Sequence, residues 1–323
     1  MFPTLDLGII RIPMYVLMIM VGAIAYILTM YFALYKTEKI KSATFKRVFV
    51  VSLVGGAVLY GSAFFFNSLF HSIKAGELKI GGITWLGGVV GAFPVTIYLI
   101  HRFVPAAKGN ALTYFSILVP GIVIAHAFGR LGCYFAGCCY GGLTDSIFGV
   151  SFPSTSHAAH QYPGGPNGGS LPVLPTQLFE AVFELVLFAV MIIFYKKLRK
   201  HNVELYAFAY GLFRFLMEFL RGDNRGSSGF FLTPAQLLCV LMWVAAVFLI
   251  LFKKNKVFKN LKRKCDVWQA EVKLEAIRRR KEYGAKASLN AMEALRELKK
   301  LLDEGIINED EYAEKKEKIM KSM

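Results

Sequence analysis

From Tyr134 to Gln177 the sequence contains no lysine and no arginine, although these two residue types supply 38 of its 323 residues. In so basic a chain, a connection of that length without basic residues is excluded from the cytoplasmic side of a membrane, because Lys and Arg favour inside loops. A second absence lies near the start of the chain. No small-residue cleavage site follows the first apolar segment, so that segment is expected to be retained rather than removed as a signal peptide. Charged residues make up only 19% of the chain, whereas 55% are hydrophobic, including 28 Phe. A soluble domain of this length could not bury so much apolar surface, and a bilayer can.

Apolar segments of spanning length recur at Pro13–Tyr35, Phe49–Phe70, Ile80–Ile100, Ala111–Arg130, Leu178–Tyr195, Leu205–Leu220 and Pro234–Phe252. Several exceed the ~18 residues that cross a hydrocarbon core, and the shorter ones can cross inside a bundle. The expected fold is therefore an all-α polytopic membrane protein with seven transmembrane helices. Basic residues follow the first, third, fifth and seventh segments: Lys36 to Arg47, Arg102 and Lys108, Lys196 to Lys200, and Lys253 to Lys264. This alternation predicts an N-terminus outside, a C-terminus in the cytoplasm, and the Tyr134–Gln177 loop outside. The net charge of +16 is then a topology signal and an affinity for anionic headgroups. Nucleic acid is not an expected partner, since the basic residues sit beside membrane exits.

The expected division is a membrane domain over 1–252, a charged cytosolic helical linker over 253–285 and a helical hairpin over 286–323. The hairpin carries "AMEALRELKKLLDEGIINEDEYAEKKEKIMKSM", read as helix, turn at Gly305, N-cap at Asn308 or Asp310, and second helix. It resembles the short C-terminal domain appended to many bacterial proteins. That resemblance implies docking or self-association through the tail, and no chemistry.

The fourth apolar segment ends in "HAFGRLGCYFAGCCYG", His126 to Gly141. Ionisable residues at such a rim are costly and call for a partner or a role, the bland alternative for Arg130 being a snorkelling side chain. The sixth segment, "YGLFRFLMEFLRGDNRG", adds Arg214, Glu218 and Arg221 at steps of four and three, which a helix places on one face. Two arginines from different helices near one depth form a fork suited to a phosphate diester. Glu218 can hold a guanidinium or act as acid or base. Glycines in "GGITWLGGVVG", Gly87 and Gly88 among them, suit either close helix packing or close approach to a ligand.

Together these stretches resemble the prolipoprotein diacylglyceryl transferase family. The carriers are the Gly-Arg-x-Gly frame at Gly129, Arg130 and Gly132, "IPMYVLMIMVG" with Tyr15, "GGITWLGGVVG", "LPTQLFE" with Gln177 and Glu180, and "YGLFRFLMEFLR". They fall in the family's order across nearly the whole membrane part. The resemblance implies a bacterial plasma-membrane enzyme with its site near the outer leaflet. It would move diacylglyceryl from phosphatidylglycerol to the thiol of a lipobox cysteine in a secreted lipoprotein precursor. Arg130 and Arg214 match the family's two essential arginines, and Glu218, Arg221 and Tyr15 match further site positions. No cofactor is implied. Three positions depart from the pattern: Leu86 stands where the family has His, Cys133 where it has Asn, and Cys138 where it has Glu.

Cys133, Cys138 and Cys139 admit three readings. One is a loop-stapling disulfide, and a second is a metal site completed by His157 or His160, although the spacing matches no common zinc frame. The third is a catalytic thiolate activated by Arg130. Cys239 and Cys265 read as inert. His126, one turn before Arg130, either replaces the missing imidazole or is a structural hydrogen-bonder. The outer stretch "STSHAAHQYPGGPNGGSLPVLP" reads as a flexible cover. Besides the family reaction, a lipid-modifying enzyme with another acceptor and a non-catalytic lipid-binding protein fit these residues.

Overall fold

A computed structural model describes residues 4–6, 11–222, 231–254, 292–296, 298–300, 302–303 and 308–321. Cys265, the turn expected at Gly305 and the linker expected over 253–285, past Lys254, lie outside the described residues. The described chain is helical except for loops and a hairpin pairing Thr4–Asp6 (β1) with Arg11–Pro13 (β2). The chain divides into two compact units, Met1–Ile250 and Leu251–Met323.

The first unit contains α1 (Met14–Met30), extended by a π-helical turn to Thr37, α2 (Ser42–Ala75), α3 (Trp85–Phe103) and α4 (Ala111–Ala136). Then come a short α5 (His157–Gln161), α6 (Thr176–Ile193), a single turn α7 (Tyr195–Leu198), α8 (Asn202–Met217) and α9 (Pro234–Lys254). Among the described residues, six helices are long and apolar enough to cross a membrane: Met14–Thr37, α2, α3, α4, α6 and α9. The remaining expected segment is α8, whose 16 residues extend about 24 Å at 1.5 Å per residue. It buries Asn202, Glu204 and Arg214, polar groups that only the inside of a bundle can shelter from lipid.

The central helix is α4, which packs against α1, α3, α6 and α8. Its most apolar stretch is 61% buried, against 17% to 39% for the other spanning helices. Outward positions of the surrounding helices carry exposed Ile19, Met20, Leu53, Phe65, Val186 and Phe248, the inverse of a soluble surface and suited to lipid contact. The pair α2 and α3 meets through glycines. A Cβ at Gly87 would lie 2.5 Å from Phe66 Cβ, and one at Gly88 would lie 2.8 Å from the Leu59 carbonyl oxygen. Close helix packing therefore accounts for both, with the Gly87 carbonyl also accepting from Ser62 Oγ at 2.8 Å.

The segment after α4 corrects the expectation of a flexible cover. Tyr140, Phe152, Ala158 and Val173 form a small core of their own. Bridges link Leu143 and Val150 to Val173, and Pro163 to Ser170. The Tyr140 hydroxyl donates to Gln161 Oε1 at 2.6 Å, and Gln161 Nε2 donates to the Gly222 carbonyl at 2.8 Å. Scattered aromatics without periodicity hid a packed lobe.

In the second unit, Glu309–Lys321 forms α10. Asn308 is its cap: Glu311 N–H donates to Asn308 Oδ1 at 2.8 Å and Asn308 N–H donates to Glu311 Oε2 at 3.2 Å. This reciprocal pair is a capping box.

Candidate active site

The C-terminal half of α4 packs against α6 and α8, and ionisable side chains from all three meet there in the protein interior. Arg130 is 8% exposed, Glu180 1%, Glu184 0% and His126 4%. Arg130 Nη2 lies 2.9 Å from Glu180 Oε1, and Arg130 Nε donates to His126 Nε2 at 3.1 Å. Because that nitrogen accepts, the His126 proton is on Nδ1, which donates to Glu184 Oε1 at 2.7 Å. The ring is clamped sideways as well. Trp85 stacks on it at 4.0 Å and 12°, and Tyr210 meets it edge-on at 5.3 Å. The Tyr210 hydroxyl donates to Glu180 Oε1 at 2.8 Å, while Trp85 Nε1 donates to the Tyr206 hydroxyl at 2.9 Å. A four-residue step on α4 and another on α6 thus interlock through one imidazole.

Arg214 on α8 pairs with Glu218, at 2.6 Å between Nη1 and Oε2, in a contact not aligned as a hydrogen bond. Glu180 lies within electrostatic reach of Arg130, Arg214 and Arg221 together with His126. One carboxylate at the helix junction thereby pairs with Arg130 and lies in the field of two further guanidinium groups. Arg221 corrects the expected shared helix face. The α-helix stops at Met217, a 3-10 turn covers Glu218–Leu220, and Arg221 is extended (φ −80°, ψ 140°) in a bridge with Gly141. The loop after α4 draws the chain off the helix here, since Gly142 N–H donates to the Leu220 carbonyl at 2.9 Å.

Tyr15, the second residue of α1, stands within electrostatic reach of Arg130 and of all three clustered thiols. The absence of a side chain at Gly132 admits this approach, because a Cβ there would lie 3.2 Å from the Tyr15 ring. Gly129 faces open space, with nothing within 4 Å of an added Cβ. Gln177 Nε2 donates to the Cys138 carbonyl at 2.7 Å, leaving its buried Oε1 without a partner.

The α4 helix ends at Gly137 in the left-handed region (φ 61°), and the chain folds back so that Cys138 N–H donates to the Cys133 carbonyl at 3.2 Å. The sulfurs of Cys133, Cys138 and Cys139 all lie within 4.8 Å of one another. Among the described residues no disulfide joins them, and neither His157 nor His160 completes the group. Cys239 is fully buried on α9.

A family model described as prolipoprotein diacylglyceryl transferase matches residues 3–252. The chain belongs to the prolipoprotein diacylglyceryl transferase family. A second model, the short C-terminal domain, matches residues 293–320. Relatives of this transferase family include phosphatidylglycerol–prolipoprotein diacylglyceryl transferase 2 of Clostridium perfringens, 30% identical over 231 residues, which cover 69% of this chain and 82% of the relative. The phosphatidylglycerol–prolipoprotein diacylglyceryl transferase of Francisella tularensis subsp. mediasiatica is 32% identical over 280 residues, 81% of this chain and 95% of its own. That of Dehalococcoides mccartyi is 27% identical over 262 residues, 78% and 93% respectively.

Within the family frame, Arg130, Arg214, Glu180, Gln177, Tyr15 and Gly132 converge on one region where α1, α4, α6 and α8 meet. Sequence reasoning missed Glu184, Trp85 and Tyr210. Glu184 carried a legible signal, a second acid four residues after Glu180 inside an apolar span, which membrane energetics marks as needing a partner. Trp85 and Tyr210 carried none, since aromatic residues are common in any span.

Proposed function

We propose that this protein transfers the diacylglyceryl group of phosphatidylglycerol to the thiol of a lipobox cysteine in secreted lipoprotein precursors. The observation that carries the reading is Arg130 held by Glu180 and His126, with Arg214 held by Glu218 across the same junction. Arg130 has five N–H donors; its Nε–H and one on Nη2 are engaged, so the Nη1 edge is available to a phosphate oxygen. The lipid enters sideways from the bilayer, past the open face at Gly129, and its phosphate bridges the two guanidinium groups. The acceptor thiol attacks the glycerol carbon, a C–S bond forms, the C–O bond to phosphate breaks, and the thiol proton leaves with glycerol phosphate. Charge that grows on the departing phosphate meets fixed guanidinium groups in a water-poor site, where such interactions are strongest.

His126 already engages both ring nitrogens, which supports a positioning role for it and leaves Glu218 as the proposed proton acceptor. Tyr15, Gln177 and Arg221 line the approach to the phosphate. The reading takes the seven apolar segments as seven spans, and the distribution of basic residues supports an outside N-terminus, a cytoplasmic tail and a site near the outer leaflet. The same charge favours phosphatidylglycerol and other anionic lipids, and the short C-terminal domain serves docking or self-association. The experiment is mass spectrometry of a lipobox peptide incubated with purified protein and phosphatidylglycerol. A diacylglyceryl adduct, absent with Arg130→Ala, is expected. An unmodified peptide while phosphatidylglycerol is consumed points to another acceptor, and intact lipid points to a binding protein.

A further inference from the structure

We propose that Cys133, Cys138 and Cys139 form a three-thiolate site for a single soft d10 metal ion, with Cu(I) preferred over Zn(II). Three sulfurs bound to one ion at about 2.3 Å stand about 4.0 Å apart in a trigonal arrangement. These three already lie within 4.8 Å of one another, so a shift of less than about 1 Å closes the site. The cluster is also built rather than incidental. Gly137 terminates α4 in a left-handed turn, and Cys139 is itself left-handed (φ 65°), a conformation rare for a residue with a side chain. Such a backbone persists only where its surroundings impose it. Two side chains at the start of α6 do so: Gln177 Nε2 holds the Cys138 carbonyl at 2.7 Å and Thr176 Oγ1 holds the Cys139 carbonyl at 2.9 Å. This outer support orients ligands before an ion arrives, as in established metal sites.

The donor set selects the ion. Thiolates favour soft ions, and structural zinc takes four protein ligands. Here no imidazole or carboxylate joins the three sulfurs among the described residues, and both nitrogens of His126 are engaged elsewhere. Three soft ligands and no fourth suit Cu(I). A covalent relay is the weaker use of these residues. A diacylglyceryl group transferred to Cys133 would form a thioether, and a thioether has no leaving group to pass the chain onward.

The test uses purified full-length protein, kept reduced and anaerobic in detergent, competing with bicinchoninate for Cu(I). One Cu(I) per chain is expected, with an X-ray absorption first shell of three sulfurs near 2.3 Å. Cys139→Ser should weaken binding at least tenfold, Cys133→Ser and Cys138→Ser likewise, and Cys239→Ser should leave it unchanged. Failure to withdraw copper, equal binding by the triple serine variant, or tighter binding of Zn(II) would overturn the proposal. Should the serine variants misfold, the wild-type absorption spectrum decides alone, and a first shell without three sulfurs rejects the site. Each readout is independent of lipid turnover, so this proposal and the transferase reading can fail separately.

Discussion

Glu180 Oε1 lies 2.9 Å from Arg130 Nη2 and accepts from the Tyr210 hydroxyl at 2.8 Å, so a single oxygen joins α4, α6 and α8. A buried carboxylate shared in this way stabilises the junction only while the cation beside it is present. Removing either partner leaves an uncompensated charge, at a typical cost of about 3–5 kcal/mol.

Glu180→Gln keeps an acceptor for Tyr210 and removes the charge paired with Arg130. We expect a fall in thermal stability, read by a thiol-reactive dye in detergent, and turnover reduced at least tenfold. Wild-type stability together with wild-type turnover would show that Glu180 does not organise the site.

Arg130→Lys and Arg214→Lys separate charge from geometry. An ammonium at position 130 cannot reach His126, Glu180 and a phosphate at once, and one at position 214 cannot hold Glu218 and a phosphate with the planar fork of a guanidinium. About a hundredfold loss of kcat is therefore expected for each, on the scale of deleting one oriented donor. Steady-state assays with phosphatidylglycerol and a lipobox peptide measure it. Lysine variants within twofold of wild type would refute the fork.

Gly137→Ala should distort the cysteine turn. A Cβ there would lie 2.5 Å from Ser156 Cβ in a left-handed backbone, whose cost for a non-glycine residue is about 1–2 kcal/mol before any clash. In reduced wild-type protein, maleimide should modify the cluster faster than buried Cys239. The alanine variant should alter that rate and lower the melting temperature. An unchanged rate and melting temperature would argue against a constrained turn.

Asn308→Ala removes the cap of α10. A loss of about 1 kcal/mol of local helix stability is expected, visible as faster amide hydrogen exchange over Glu309–Lys321 in the full chain and no change in α4. Glu314 should respond separately to acid. Lys318 beside it, at 2.6 Å, draws its carboxyl below the ordinary range. The helix-favouring charge pair is thus complete above the ordinary carboxyl range and fades as the pH falls through the lowered value. Exchange over α10 that stays constant across that interval would show that the pair contributes nothing measurable.

The sequence by itself determined the membrane class, six of the long apolar segments, the two arginines on separate helices and a helix start at Asn308 or Asp310. These depend on quantities local in the chain: apolar run length, the side on which basic residues gather, and the spacing of side chains along one helix. Glu184 was legible in principle for the same reason, as a second acid within one span. Only the tertiary structure decided which side chains meet. Nothing local places Trp85 of α3 on His126 of α4, or brings Glu180 to Arg130, because those contacts depend on the depth and rotation of packed helices. It also decided that Arg221 leaves its helix, that the loop after α4 is a packed lobe, and that three cysteines spaced 133, 138 and 139 come within one ion's reach. Each depends on a chain reversal at Gly137 or Gly141, and reversals are stabilised by distant partners, Gln177, Thr176 and Leu220, which sequence spacing does not reveal.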